Sequence, residues 1–576
     1  LIECEPGGKD LQASFIANVM LTGLFGRVRG LVDVDLLIGR RIVFIAGTVA
    51  GQLQICAFPV QGGSAFLSSG IGAFLINPDL RESLVVGQIA GPTLVDQKAV
   101  FAFNGHSAVG PLVLYDSPLV GTAIDNFLLG GTNAADWAGG NGPEFAVAHN
   151  NSLWAFGVEA FPSRLYRSSR FANQHFAEPI PWTASTAFAF GVRLRPTVKN
   201  GHFYQVRSAG GTTAATEPVW PTGVGEPVTN GTVLLIEDTF ESPSTLDIFP
   251  GENGAITGCA SFFGRLYVFK EHGIYYVDDS NLDILNWRIV KLPSNVGAMS
   301  HRLIVTTEND VIFISSSGLP MSLAAIENAF GDTEVATIAN DNIRRFIEAN
   351  VSLSGSKLNG SAIYFQEKKE VWFMLQHLVD SRTFVLKLDL TNEPQYFVSK
   401  ASYKMGGNTF QTLSLIRDAA GLSVPMISSG GASPTIEVDT RIHFVVMNRA
   451  GLGTITSGLG GTQPLVPTFT LKPIILSGDN ETNINVKYIE IHSLSTADYS
   501  IVLTIFPDED VLRQQSTSFA FDHNAAGNVS VVRRRIFGQM RSVTLTFKFI
   551  TPAQLLGIQK IVIAGVPAGT RRRVPA

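Results

Sequence analysis

Apolar residues arrive along most of this chain in short runs broken by Gly, Asn or charged turns, and the runs come in pairs. Examples are RRIVFIAGTVAGQLQICAF from Arg40, KAVFAFNGHSAVGPLVLYD from Lys98 and NSLWAFGVEAFPSRLYRSS from Asn151. Later come GRLYVFKEHGIYYVDD from Gly264, NDVIFISSSGLPMSL from Asn309 and SAIYFQEKKEVWFMLQ from Ser361, the last continuing into RTFVLKLDL from Arg382. β-Branched and aromatic residues on both sides of a tight turn predict antiparallel hairpins. They recur at intervals of roughly 40 to 60 residues, near the period of propeller blades. No Trp-Asp dipeptide marks the repeats, so a multi-sheet sandwich is the competing architecture. Helical spacing is confined to 326–350, where Ile338, Ile343, Phe346 and Ile347 predict one short helix and Asp341 caps its second half.

The texture divides the chain. Residues 1–178 and 241–450 read as two parts of one β-propeller-like body, interrupted at 179–240 by a segment dense in Thr, Gly and Pro that predicts a small inserted β module. Residues 451–467 (GLGTITSGLGGTQPLVP) read as a linker. Beyond it, VKYIEIHSL from Val486, YSIVLTIF from Tyr499 and RSVTLTFKFI from Arg541 alternate with period two. Such alternation marks strands with one buried face, so 468–576 reads as a β-sandwich-like domain. The expected fold class is all-β throughout.

Composition sharpens this picture. Charged residues are only 16% and mean hydropathy is +0.20 in a chain of 576 residues, which predicts surface buried against neighbouring subunits. The 56 glycines and 28 prolines are spread along the chain, as many turns require. A net charge of −5 argues against nucleic-acid capture by the body. Residues 42–78 carry no charge, but Gly47, Gly51, Gln52, Gln54, Pro59, Gln61 and Gly62 break the run, so core strands are expected and no membrane span. No secretory signal is visible at Leu1. Cys4, Cys56 and Cys259 are odd in number and far apart, and read as buried thiols. Asn-x-Ser/Thr triplets such as those at Asn230 and Asn528 carry little weight in so Asn-, Ser- and Thr-rich a chain.

Recognisable catalytic motifs are missing. No H-E-x-x-H, G-x-S-x-G, P-loop, G-x-G-x-x-G after a strand, or Ser-x-Asp-x-Gly-x-x-Trp repeat occurs, so no enzyme, cofactor or metal is expected. Three weaker constellations stand out. Asp278, Asp279, Asn281 and Asp283 form an oxygen-rich turn that lacks EF-hand spacing, and a solvated loop is the favoured reading over calcium. Trp182, Tyr204 and Trp220 are candidates for a glycan-stacking platform, with a module core as the plainer reading. Arg533, Arg534 and Arg535, with Arg571, Arg572 and Arg573, are candidate contacts to an acidic partner or to DNA, against the reading of solvated charge runs.

The hairpin GRLYVFKEHGIYYVDD, followed by SNVGAMSHRLIVTTENDVIFISSSGLPMSL from Ser294, resembles the propeller region of bacteriophage tail proteins. NNSLWAFGVEAFPSRLYRSSRFANQHF from Asn150 is similar to the corresponding strand pair of the tail nozzle (tail tubular protein B-like) family of short-tailed phages. The segment GGTTAATEPVWPTGVGEPVTNGTV from Gly210 resembles a module that recurs in phage structural proteins. The resemblance covers roughly 150–440 and implies a structural virion protein of the tail, assembled in the host cytoplasm. It further implies a homo-oligomer, a hexameric ring, that docks on a tail adaptor protein and supports tail fibres or spikes. Genomic DNA would pass through the lumen without specific binding, and a carboxylate-lined lumen would repel its phosphates. A tail-tip or hub protein of another phage type, and a glycan-binding host-recognition protein, are the alternatives.

Overall fold

The computed structural model describes backbone and side chains for residues 142–170, 175–327, 343–357, 360–378 and 385–390, for 135–138, and for much of 474–566; over 24–126 and 397–470 it describes mainly the backbone of strands. Strands dominate, paired almost entirely antiparallel.

Seven sheets of three or four strands follow one another among the described residues, and their first strands are Leu24–Leu36, Leu80–Ile89, Phe145–His149, Ile256–Phe262, Ile304–Thr306, Ser361–Phe365 and Thr409–Arg417. We number these sheets blades I to VII. Within each, successive strands lie side by side in chain order, the simplest solution for short strands joined by tight turns. Each first strand adjoins the first strand of the next blade, and Thr409–Arg417 of blade VII adjoins Leu24–Leu36 of blade I. The ring therefore closes, and the body is a seven-bladed β-propeller with the first strands innermost.

The blades are apolar on both faces, which explains the unbroken runs in their sequence. In blade IV, Leu266 and Val268 meet Trp154 and Phe156 of blade III, whereas Tyr267 and Phe269 meet Val311 and Phe313 of blade V. Blade V repeats the division: Ile312 and Ile314 turn the other way, toward Val371, Phe373 and Leu375 of blade VI. Full burial of one such side chain contributes about 2 kcal/mol, so each seam between blades is a hydrophobic core in its own right. His301 pins three blades together. Its Nε2 donates to Ala146 O at 3.2 Å in blade III, and its Nδ1 accepts from Cys259 N at 3.3 Å in blade IV.

Instead of one helix, three lie between blades V and VI among the described residues: Leu323–Asn328, Asp341–Asn350 and Leu353–Asn359. Asp341 begins the second helix and does not precede it as a cap. The first is capped by Ser322, whose Oγ accepts from Ala325 N at 3.0 Å, and the third by Ser352, whose Oγ accepts from Gly355 N at 3.1 Å. Ile343 and Ile347 of the middle helix enter the seam between blades V and VI.

Between the third strand of blade III, Arg164–Arg167, and its fourth, Ser244–Asp247, the chain leaves the ring. It forms a five-stranded sheet in the order Ile180–Pro181, Arg193–Arg195, Tyr204–Val206, Val233–Glu237, Pro227–Asn230, with Ala187–Phe188 and Gly211–Thr212 paired beside it. Arginines anchor this module to its blade. Arg193 donates to Asp238 Oδ2 and Ser169 Oγ, both at 3.1 Å, and Arg170 to Glu241 Oε1 at 2.8 Å. Arg167, buried, donates to the carbonyls of Phe240 and Ser242.

Within the stretch read as a linker, Thr454–Thr456 pairs with Thr462–Pro464. C-terminal to it, one sheet orders Thr468–Thr470, Ser542–Phe549, Tyr499–Pro507 and Gln515–Phe521, and a second orders Ser530–Met540, Ile484–Ser495 and Leu556–Pro567. The alternate residues Ile501, Leu503 and Ile505 share one core with Ile489 and Ile491 of the other sheet.

Candidate functional site

The inserted module places its aromatics inward. Alternation along Val233–Glu237 buries Val233 and Leu235, and against them lie Trp182 and Tyr204. Trp182 is 9% exposed and Tyr204 is 0% exposed, so neither offers a ring face to a sugar. The stacking platform proposed from sequence is thus corrected to a core. Trp220 is half-buried and its ring lies 4.3 Å from that of Tyr204. Each polar atom of the three is also held: Trp182 Nε1 donates to Asn230 Oδ1 at 3.1 Å, Tyr204 OH to Pro221 O at 2.6 Å, and Trp220 Nε1 to Glu217 Oε1 at 2.9 Å.

The oxygen-rich turn likewise uses its acceptors locally. Asp278 Oδ1 accepts from Ser280 Oγ at 2.7 Å, which lowers the pKa of Asp278. Asn281 Oδ1 accepts from Asp283 N at 2.9 Å, and Asp283 accepts from Leu285 N at 3.0 Å and Asn286 Nδ2 at 2.8 Å. Asp279 points away toward blade III, where it accepts from Asn150 Nδ2 at 3.1 Å and stands 3.2 Å from His149 Nε2. Burial pushes the Asp279 carboxyl up, yet these neighbours hold it below its ordinary value. Among the described residues no three His, Cys, Asp or Glu side chains gather as a metal site.

Arg533, Arg534 and Arg535 lie on the strand Ser530–Met540 and are all exposed. Arg533 donates to Glu490 Oε2 at 2.6 and 2.8 Å and covers the Tyr488 ring; Arg534 donates to Ser518 O at 3.0 Å. Only Arg535 has no contact of this kind among those described. Arg571, Arg572 and Arg573 lie outside the described residues, as do Cys4 and the side chain of Cys56. Cys259 is buried, and burial pushes its thiol well up.

The propeller itself assembles a site that no motif announced. Strands alternate in direction, so the start of each inner strand shares one end of the ring with the turn between the second and third strands. On this leading face, Glu144 precedes the inner strand of blade III, and Glu159 lies in that blade's second turn. Glu271 lies in the equivalent turn of blade IV, and Lys357 comes from the helix Leu353–Asn359. Together they line a cavity of about 300 Å³. Its wall includes Phe145, Ile256 and Met299. Lys357 Nζ stands 3.9 Å from Glu271 Oε1, with both side chains well exposed. Ser300, just before the turn His301–Leu303, also lines the cavity; its buried hydroxyl has no hydrogen-bond partner in the protein. Gly157 makes the close approach of turn to strand feasible, because a Cβ there would meet Glu144 Cβ at 3.1 Å and the Phe145 ring at 3.3 Å.

No family model matches the chain, and no curated protein does. Solved structures with a similar arrangement include a glycoside hydrolase family 43 arabinoxylan arabinofuranohydrolase from Bacillus subtilis, at 10% identity and a TM-score of 0.18 over 97% of this chain and 99% of that one. The intramolecular trans-sialidase from Ruminococcus gnavus is similar at 12% identity and a TM-score of 0.26, over 71% and 91% of the two chains. A subtype N10 neuraminidase-like protein of A/little yellow-shouldered bat/Guatemala/060/2010 is similar at 9% identity and a TM-score of 0.22, over 71% and 95%. At such TM-scores the assignment of the fold rests on the strand order of this chain itself.

Proposed function

We propose that this chain is a structural subunit of a bacteriophage tail, of the nozzle type, that closes into a ring with copies of itself. The observation that carries this reading is where the inserted module sits and what it exposes. It leaves the propeller just before the outermost strand of blade III, so it projects from the rim of the ring of blades. Among the described residues it also carries a high share of the large apolar side chains left in solvent: Ile180, Phe190, Val198, Val219, Val224 and Leu234, with Val198 81% and Val219 93% exposed. A rim module with an apolar surface suits the heterologous, head-to-tail contact by which subunits close a ring. The arginines at its root fix its orientation on the blade, as a repeated contact geometry requires. In this reading the chain is not an enzyme, the ring is hexameric, and adaptor, fibres and passing DNA are its partners.

Electron microscopy of the purified full chain tests the reading. Sixfold rings with a central hole support it, and Val219→Asp with Phe190→Ser should leave folded monomers. A wild-type chain that stays monomeric at high concentration and binds or cleaves polysaccharide would overturn it in favour of a host-glycan protein.

A further inference from the structure

We propose that the leading-face cavity between blades III, IV and V is a binding site for an aliphatic polyamine cation. This goes beyond the tail reading and stands or falls without it. Three observations converge. First, Glu159 and Glu271 line the cavity with one ammonium, that of Lys357, so these side chains leave an excess of negative charge. A concave, partly apolar wall focuses that field and favours a cationic guest. Second, the lining is amphipathic: carboxylates stand beside Phe145, Ile256 and Met299. Methylene segments between ammonium groups match such a lining, whereas a compact metal ion does not, and no three-residue ligand set is present among the described residues. Third, the Ser300 hydroxyl is buried with the residue only 3% exposed, and it has no partner within the protein. A buried hydroxyl without a partner costs free energy, and an ammonium N–H offers the donor it lacks.

Lys357 shows how an ammonium is received here. At 3.9 Å and with 57% of its side chain exposed, it makes a loose contact to Glu271, which a guest can share or displace. The Ser300 backbone is meanwhile held rigidly, because the adjacent His301 is fixed to Ala146 O and Cys259 N. The backbone that carries the hydroxyl is therefore preorganised.

Calorimetric titration of the full chain with spermidine tests the proposal. Saturable binding that weakens with salt is expected, and Glu159→Gln and Glu271→Gln should each reduce affinity by roughly tenfold. Ser300→Ala should weaken binding several-fold without lowering the melting temperature of the free protein, since the alanine removes an unpaired group. Glu348→Gln, on an exposed helix face away from the cavity, should change nothing. Absence of saturable binding, binding that Glu348→Gln weakens as much as Glu159→Gln, or binding of a neutral hexose in preference to spermidine would each overturn it.

Discussion

The ammonium of Lys270 donates to Ser163 Oγ at 3.1 Å, across the seam between blades III and IV. It also donates to the carbonyls of Ile248 and Phe249, both at 3.0 Å, and of Glu252 at 2.6 Å. Lys270 is wholly buried, and desolvation lowers its pKa, yet these acceptors satisfy the charge and hold the returning chain of 248–252 against blade IV. Lys270→Met keeps the stem's volume and leaves those oxygens without their donor. The expected loss is about 2–4 kcal/mol, read as a lower urea midpoint for the propeller transition. An unchanged midpoint would show that the cage contributes nothing.

A second prediction concerns acid. Burial first, and the charge of Arg302 as well, depress His301 to about 4 from its ordinary 6.5. Nδ1 accepts from the Cys259 N–H, so the neutral ring carries its proton on Nε2, and protonating Nδ1 sets two hydrogens against each other. Between these two values the unfolded chain binds the proton and the folded chain does not. Stability is therefore complete above about pH 6.5 and falls as pH drops toward 4, by on the order of 3 kcal/mol from this group. Melting temperatures from pH 7 to 4.5 should show that fall, and His301→Gln should flatten part of it. A wild-type profile that matches the variant's would rule the assignment out.

Much of this architecture was legible in the sequence, and the gaps have physical causes. Leu266, Tyr267, Val268 and Phe269 form an unbroken apolar run because both faces of a blade are buried, and such runs with turns between them announced the hairpins. Ring closure was invisible, since it depends on Thr409–Arg417 meeting Leu24–Leu36 at the other end of the body. For Trp182 and Tyr204 the plainer reading, a module core, agrees with their burial, but the sequence left stacking open because it records an aromatic and not its side of a sheet. The cavity was missed for a related reason. Glu144, Glu159, Glu271, Ser300 and Lys357 are scattered along the chain, and only the repeated geometry of turns brings them together. Their one shared signal is position: each lies at a turn or helix on the leading face.

The inserted module depends on one amide. Asn230 Oδ1 accepts from Trp182 Nε1 at 3.1 Å and from Ala214 N at 3.0 Å, while its Nδ2 donates to Thr216 O at 2.9 Å. The residue is buried, so Asn230→Ala strands an indole N–H, a backbone N–H and a carbonyl together. A loss of about 2–3 kcal/mol is expected, confined to the module. Limited proteolysis should then cut within 179–240 while the flanking blades survive. Cleavage no faster than in wild type would mean that the aromatic core alone holds the module.

The last prediction turns on a backbone contact. Gly297 lies in the loop that leads into blade V, and a Cβ there would stand 1.5 Å from the carbonyl oxygen of Lys270. Neither side is free to yield. The Lys270 backbone is paired with Ile256 and with Gly273, and Gly297 O accepts from Ser316 N at 3.0 Å. The obstacle is therefore a sheet carbonyl, not the movable end of a side chain, so relief requires parting blades IV and V. Gly297→Ala, a single added methyl, should cost at least about 3 kcal/mol. The separation should also disturb the Lys270 cage, whose residue supplies the obstructing carbonyl. In a double-mutant cycle, Gly297→Ala and Lys270→Met should then cost less together than the sum of their separate effects. Strict additivity would place the strain elsewhere, and a Gly297→Ala protein as stable as wild type would show that the blades do not meet there.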